Sequence, residues 1–283
     1  MKATDLIDKI KELPTLPTVA AQINAEMRKE SLTAKSLGTI ISQDAALTAK
    51  VLKLSNSAFY GLVRQVDSVD RAVTVLGLNT IKNLALSISI HKFFKKNSAG
   101  FIDMDGLWHH SLGCAVAAQT LAARIDPHLA AKAFICGILH DLGINVIADQ
   151  LPDEMALIIG TIAESKQRQV EVEKEVIGFS HCRVGSVLAD KWNFPEEYAK
   201  AINFHHNPGL AKTTELDEIR LIAAVHIGNK IAKIKNFGTS IDPQSDHIEN
   251  KTWGVLNVSK EMIPVLLKSI DTDYHNLLAA WEF

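Results

Sequence analysis

Only three cysteines occur in the chain, Cys114, Cys136 and Cys182; they form no CxxC pair and are odd in number, which does not suggest a disulfide framework and fits a reducing compartment. There is no excess of either charge. Thirty basic side chains stand against 32 acidic ones, a formal net charge of −2, too little to hold a nucleic acid or an anionic membrane through a global field. Long apolar runs are missing, none approaching the roughly 18 residues of a membrane span. The opening stretch MKATDLIDKIKELPTLP is charged from its start, unlike a secretory signal. A soluble, cytoplasmic, unprocessed protein is expected. Alternating β-branched runs are nearly absent, as are internal repeats and low-complexity tracts.

Helical periodicity is abundant, in a chain whose 47% hydrophobic content can fill a substantial core. Val19, Ile23 and Met27 stripe one helix, Leu37, Ile40 and Ile41 the next, and Leu47, Val51 and Leu54 another. Pro14 and Pro17 bracket the first turn, while Thr33, Asp44, Ser68 and Asn79 each sit where an N-cap precedes a helix. The pattern breaks from His91 to Asp105, which predicts a boundary between a first helical part, residues 1–97, and a second, residues 98–283. Within that break, HKFFKKN at 91–97 reads as a solvated hinge rather than a nucleic-acid contact, because three lysines make a weak footprint. The fold class expected is all-α.

Histidines recur on the buried faces of these helices. His140 closes the apolar segment AKAFICGILHDLG on the face of Ala133, Cys136 and Gly137, and Asp141 follows it directly. His110 lies on the stripe of Cys114, Ala117 and Leu121, and His181 begins the stripe of Val184, Gly185 and Leu188. His205 and His206 fall one turn beyond Tyr198 and Ile202 in PEEYAKAINFHH. An unpaired buried imidazole costs on the order of 1 to 3 kcal/mol, and one shared cation would satisfy several at once. Neutral imidazoles with a carboxylate suit a divalent transition ion, Fe, Mn, Co, Ni or Zn, and such an ion acidifies a bound water.

The spacing of His110, HDLG at 140–143, HCRVG at 181–185 and His205-His206 resembles the HD superfamily, most closely its HD-GYP branch. LPTLP at 13–17, ISQDAALTAKVLKLSNSAFYG at 41–61 and SVDRAVTVLGLNTIKNLAL at 68–86 resemble the HDOD family. The resemblance implies an HD-like helical bundle with an N-terminal helical HDOD subdomain, in bacterial signalling and regulatory proteins. It places metal ligands on His110, His140, Asp141, His181, His205 and His206. Three positions depart from the HD-GYP pattern: Ile144 stands for a lysine, Gly106 for an acidic ligand, and Asn229 for the closing aspartate. The chain also reads HHNPGLAKTTELDE where that branch carries its cyclic-dinucleotide loop.

The metal set expected is therefore His110, His140, Asp141, His181, His205 and His206, with Asn229 at the altered last-ligand position. His226, one turn before Asn229, is an outside candidate. The cysteines beside these histidines read as small packed residues more readily than as thiolate ligands, since zinc sites with this many histidines rarely need them. Two functions follow. One is a regulatory protein binding a signalling partner or a nucleotide or phosphoester ligand. The other is a metal-dependent phosphohydrolase in which His140 and Asp141 are catalytic; losing Ile144's lysine and Asn229's carboxylate favours the first.

Overall fold

Small polar residues decide where the first helices begin. The computed structural model describes residues 10, 13–29, 31–96, 102–242, 248 and 250–281, all-α and without a strand among them. After α1 (Thr18–Arg28), Thr33 and Ser36 form a reciprocal capping box at α2 (Ala34–Ser42). The Asp44 carboxylate accepts from the Leu47 N–H at 2.9 Å to open α3 (Ala45–Ser55), and Ser68 caps α4 (Val69–Leu76). Asn79 is no cap. Gly77, at φ 88°, ends α4 and turns the chain straight into α5 (Leu78–Lys96), a conformation that glycine adopts without strain. The helix runs on through the expected hinge at His91 as far as Lys96, and the boundary expected between residues 97 and 98 lies outside the described residues.

By contacts the chain divides into two compact units. One comprises Leu16–Phe93 with Pro264–Phe283. Its interior holds Leu37, Ile41, Leu47, Val51 and Leu54, from two of the stripes read from the sequence, together with Ile81 and Leu84; of the first stripe only Ile23 is buried, Val19 and Met27 being half-buried. The last helix, α15 (Ile263–Trp281), buries Ile270, Tyr274, Leu277 and Trp281 at helical spacing, and the Trp281 indole N–H donates to His91 Nδ1 at 3.3 Å.

The other unit comprises Met1–Thr15 with Phe94–Ile263. Asp103 caps α6 (Met104–Ala122) and Asp126, followed by Pro127 at the first helical position, caps α7 (Pro127–Leu139). Then come α8 (Leu142–Gln150), α9 (Pro152–Ser165), α10 (Gln169–Val176), α11 (His181–Lys191), α12 (Glu196–Phe204), α13 (Leu216–Ile234) and α14 (Asn250–Val255). Helix α6 packs on both α7 and α13, which also touch each other; α13 packs on α12, α12 on α11, and α11 on α8. By length and composition alone Pro127–Gln150 suffices to cross a membrane, but 89% of its apolar window is buried inside the protein, as in a core helix.

The α8–α11 contact depends on one missing side chain. A Cβ at Gly143 would overlap the His181 carbonyl and come within 2.8 Å of the Gly185 nitrogen. Gly143→Ala is therefore expected to destabilise the protein by about 1–3 kcal/mol, seen as a lower unfolding midpoint, because backbone rather than a flexible side chain must yield. An unchanged midpoint would show that the helices have room to separate.

Candidate metal centre

His140, Asp141, His181, His205 and His206 sit at or beside helix ends, which orient them, whereas His110 lies inside α6. His140 and His205 are the C-terminal caps of α7 and α12. Their Nδ1–H groups donate to carbonyls three residues back, Gly137 at 2.8 Å and Ile202 at 2.7 Å. Such carbonyls have no partner within the helix, so the imidazoles close the helices as they fix themselves. A carbonyl only accepts, so in both rings Nδ1 carries the proton and a neutral ring turns an Nε2 lone pair inward.

His181, the first residue of α11, is held in the same sense by Glu173 from α10. Its Nδ1 lies 2.9 and 2.8 Å from the two carboxylate oxygens, its backbone N–H donates to Glu173 at 2.8 Å, and Gln169 Nε2 donates to the same carboxylate at 2.7 Å. Glu173 and Gln169 were not among the residues singled out from the sequence. The available signal was an acidic and an amide side chain, one turn apart, sharing a helix with the buried Val170 and Val172.

The Nε2 atoms converge on Asp141, between α7 and α8. Its Oδ2 lies 3.1 Å from His140 and 3.6 Å from His110, and its Oδ1 lies 3.4 Å from His181 and 3.5 Å from His205. His140, His181 and His205 are 0% exposed, and the Nε2 atoms of His140 and His205 make no hydrogen bond. The 3.1 Å approach of His140 is thus an ion-pair distance outside hydrogen-bond geometry. Lone pairs facing a carboxylate at this range repel unless a proton or a metal ion lies between them. His110 Nε2 also meets Asn229 Oδ1 at 3.0 Å.

Two sets of donors could each hold an ion: His110, His140 and Asp141, and His181, Cys182, His205 and His206, with donor atoms inside each set within 4.8 Å of one another. His206 is half-buried, its ring centroid 4.3 Å from that of His205. His226 stands behind the cluster, its Nδ1–H donating to the His205 carbonyl at 2.6 Å. Ile144 is buried and offers no charge. At Gly106 a Cβ would overlap Asp103 and Thr239, so the cap of α6 occupies the space an acidic side chain there would need.

Burial pushes His110 down to about 3, although the Asp141 charge opposes it. His206 is driven well below the ordinary histidine range by burial and by its neighbours His205 and His181. Burial would also lower His181, but the charges of Cys182 and Glu173 and the hydrogen bond to Asp141 hold it well above 6.5. Cys182 is pushed up by burial and pulled down further by His181 and His205, to about 6.

The sign of the His181 shift sets a pH dependence. With the folded value raised, its charged pairing stabilises the metal-free protein fully below 6.5 and is lost as pH rises through the higher folded value. A metal at Nε2 must displace that proton. Affinity is therefore expected to climb about tenfold per pH unit for this one proton below the raised value, over about pH 5 to 7. Titration calorimetry in buffers of different ionisation enthalpy reads the proton directly; a flat profile would mean that Nε2 is already bare.

A model of the HDOD domain matches residues 13–208. Among solved structures, the chain is similar to an HDOD domain protein of unknown function from Geobacter sulfurreducens, at 24% identity and TM-score 0.85 over 99% of this chain and 97% of that one. It is similar to a candidate phosphohydrolase from Shewanella amazonensis SB2B, at 25% identity and TM-score 0.76 over 98% and 97%. A candidate signal transduction protein from Marinobacter aquaeolei VT8 shares the fold at 21% identity and TM-score 0.75, with 97% of this chain and 60% of that one covered. A curated relative from Treponema pallidum (strain Nichols), an uncharacterised protein, is 29% identical over 206 residues, 72% of this chain; the match spans 40% of that relative's length.

Proposed function

From the premise that the chain belongs to the HDOD domain family, we propose that it is a bacterial signalling protein whose histidine centre holds a divalent transition ion and which acts by binding a ligand or protein partner rather than by turnover. The observation that carries this reading is the enclosure of the centre: His110, His140, Asp141, His181 and His205 are all buried. Structural metal sites are closed by protein ligands, whereas catalytic ones keep a position open for water or substrate. The neighbours that would assist phosphoryl transfer are absent as well. Ile144 brings no cation to a phosphate and Asn229 brings a neutral oxygen to the metal.

The donor chemistry fits the ion. Two buried Nε2 atoms without partners, two more facing the same carboxylate, and Nδ1 protons anchored outside the cluster form the arrangement in which second-shell acceptors fix imidazoles for ligation. His110, His140, Asp141, His181, His205 and His206 would hold it, with Asn229 beside His110. Mixed imidazole and carboxylate donors suit Fe, Mn, Co, Ni or Zn. Bound there, the ion supplies Lewis acidity and a crosslink between helices.

One observation favours the second reading, a metal-dependent phosphohydrolase acting on a nucleotide or other phosphoester. A pocket of about 450 Å³ opens beside the half-buried His206, lined among the described residues by Arg168, His226, Lys230 and Lys251. Its volume suits a small ligand and its charge suits a phosphoryl group. In the regulatory reading the same pocket receives the ligand without cleaving it.

Elemental analysis of protein purified without chelator, paired with phosphodiesterase and nucleotidase screens of wild type and His140→Ala, separates the two. Stoichiometric metal with no turnover under added Mn, Fe or Ni is expected. Hydrolysis abolished in His140→Ala would overturn the regulatory reading, and metal-free protein that takes up none of these ions would overturn the metal centre itself.

A further inference from the structure

The three cysteines differ in what faces them. Cys114 donates its S–H to the Val225 carbonyl at 3.7 Å and also bears on the His140 ring, but it belongs to neither group of metal-capable donors. Cys136 is buried in α7 and belongs to neither group of metal-capable donors. Cys182 is different. Its sulfur lies 3.4 Å from His181 Nε2, and the donor atoms of His181, Cys182, His205 and His206 all fall within 4.8 Å of one another.

We infer that Cys182 is a metal ligand, its thiolate completing with His181, His205 and His206 a nitrogen–sulfur site beside Asp141 that favours zinc over harder ions. The inference rests on the reading of the histidine centre as metal-binding and names the chemistry of one half of it. Three observations carry it. First, donors bound to one tetrahedral zinc, at bond lengths of about 2.0–2.1 Å to nitrogen and 2.3 Å to sulfur, lie roughly 3.3–3.6 Å apart. The 3.4 Å from Cys182 to His181 matches that spacing. Second, His205 Nε2 points into the same group with no hydrogen bond although its ring is fully buried. Third, Cys182 is the second residue of α11, where the backbone N–H groups and helix dipole favour a negative sulfur.

The two halves then differ in chemistry. His110, His140 and Asp141 with Asn229 offer nitrogen and oxygen only. The half holding Cys182 adds sulfur, which selects zinc and cobalt over manganese and magnesium. Ligation breaks the S–H bond, releases its proton to solvent and forms the sulfur–metal bond, with no change of oxidation state.

Cobalt(II) titration of the metal-free protein tests this without reference to activity. Wild type, Cys114→Ser and Cys136→Ser are expected to develop a near-ultraviolet thiolate-to-cobalt charge-transfer band, and Cys182→Ser is expected to lack it. Cys182→Ser is also expected to bind zinc at least about 100-fold more weakly, beyond the range for loss of a second-shell partner. Alkylation of the wild-type protein, read by mass spectrometry, gives a check independent of any variant's folding: zinc should protect Cys182. A cobalt spectrum with d–d bands but no charge-transfer band, or alkylation of Cys182 undiminished by zinc, would overturn the cysteine ligand and leave the histidine centre standing. Failure to bind cobalt or zinc at all would overturn both.

Discussion

Asp141→Asn is expected to lower metal affinity by well over 100-fold, more than the 10–100-fold typical of second-shell changes. Its two oxygens face four imidazole Nε2 atoms at 3.1–3.6 Å, two on each side, so one side chain serves both donor sets. Asparagine keeps the shape and removes the charge that offsets a divalent ion. It also turns an amide N–H toward two of the four Nε2 atoms, which hinders their ligation. Competition with a chromophoric chelator measures the loss; an Asp141→Asn protein that retains wild-type affinity would remove the carboxylate from the ligand set.

The same substitution alters acid stability. Burial raises the Asp141 carboxyl pKa, but the charge on His140 and the His181 and His205 imidazoles turned toward its oxygens outweigh it and hold the value well below 3.8. A group depressed on folding contributes stability that is present above its unfolded value and lost as pH falls through the folded one. Metal-free wild type is therefore expected to lose this contribution below about pH 4, while Asp141→Asn lacks it throughout. Denaturant unfolding of both proteins across that range separates the curves.

Glu173→Ala is expected to destabilise the protein by about 3–5 kcal/mol, the scale of breaking a buried ion pair from one side. Three donors converge on this carboxylate, the His181 ring, the His181 backbone N–H and the Gln169 amide, and all are buried. Removing it orphans them together and frees the ring that aims Nε2 at Asp141. Glu173→Gln, which keeps an acceptor, should recover most of the stability while weakening metal binding by about 10–100-fold. That split between folding and affinity marks a positioning residue; equal losses in both variants would assign Glu173 to packing alone.

Much of this was legible in the sequence because periodicity reports which face of a helix is buried. Leu37, Ile41, Leu47, Val51 and Leu54 were read as core stripes and are core. Thr33, Asp44 and Ser68 were read as caps and are caps, since capping is a local hydrogen bond between a side chain and a nearby backbone. Asn79 failed as a cap because Gly77, at positive φ, had already turned the chain. The helix itself runs past His91, where the apolar pattern breaks, because lysines and aromatics are compatible with a helix, and α5 continues to Lys96.

Composition and periodicity by themselves determined the all-α class, and the motifs determined membership of the HDOD family together with the histidines worth following. Only the tertiary structure could bring those histidines, from α6, α7, α11 and α12, around one carboxylate. Helix faces give direction, whereas distance depends on how closely helices approach, and Gly143 against the His181 carbonyl is a contact no local pattern encodes. Tertiary structure also decided which residues orient the ligands. Glu173 reaches His181 across a turn between two helices, and Cys182, one residue after a histidine, faces its ring instead of simply packing behind it. Those two facts depend on the angles between helices, which follow from the packing of the whole core.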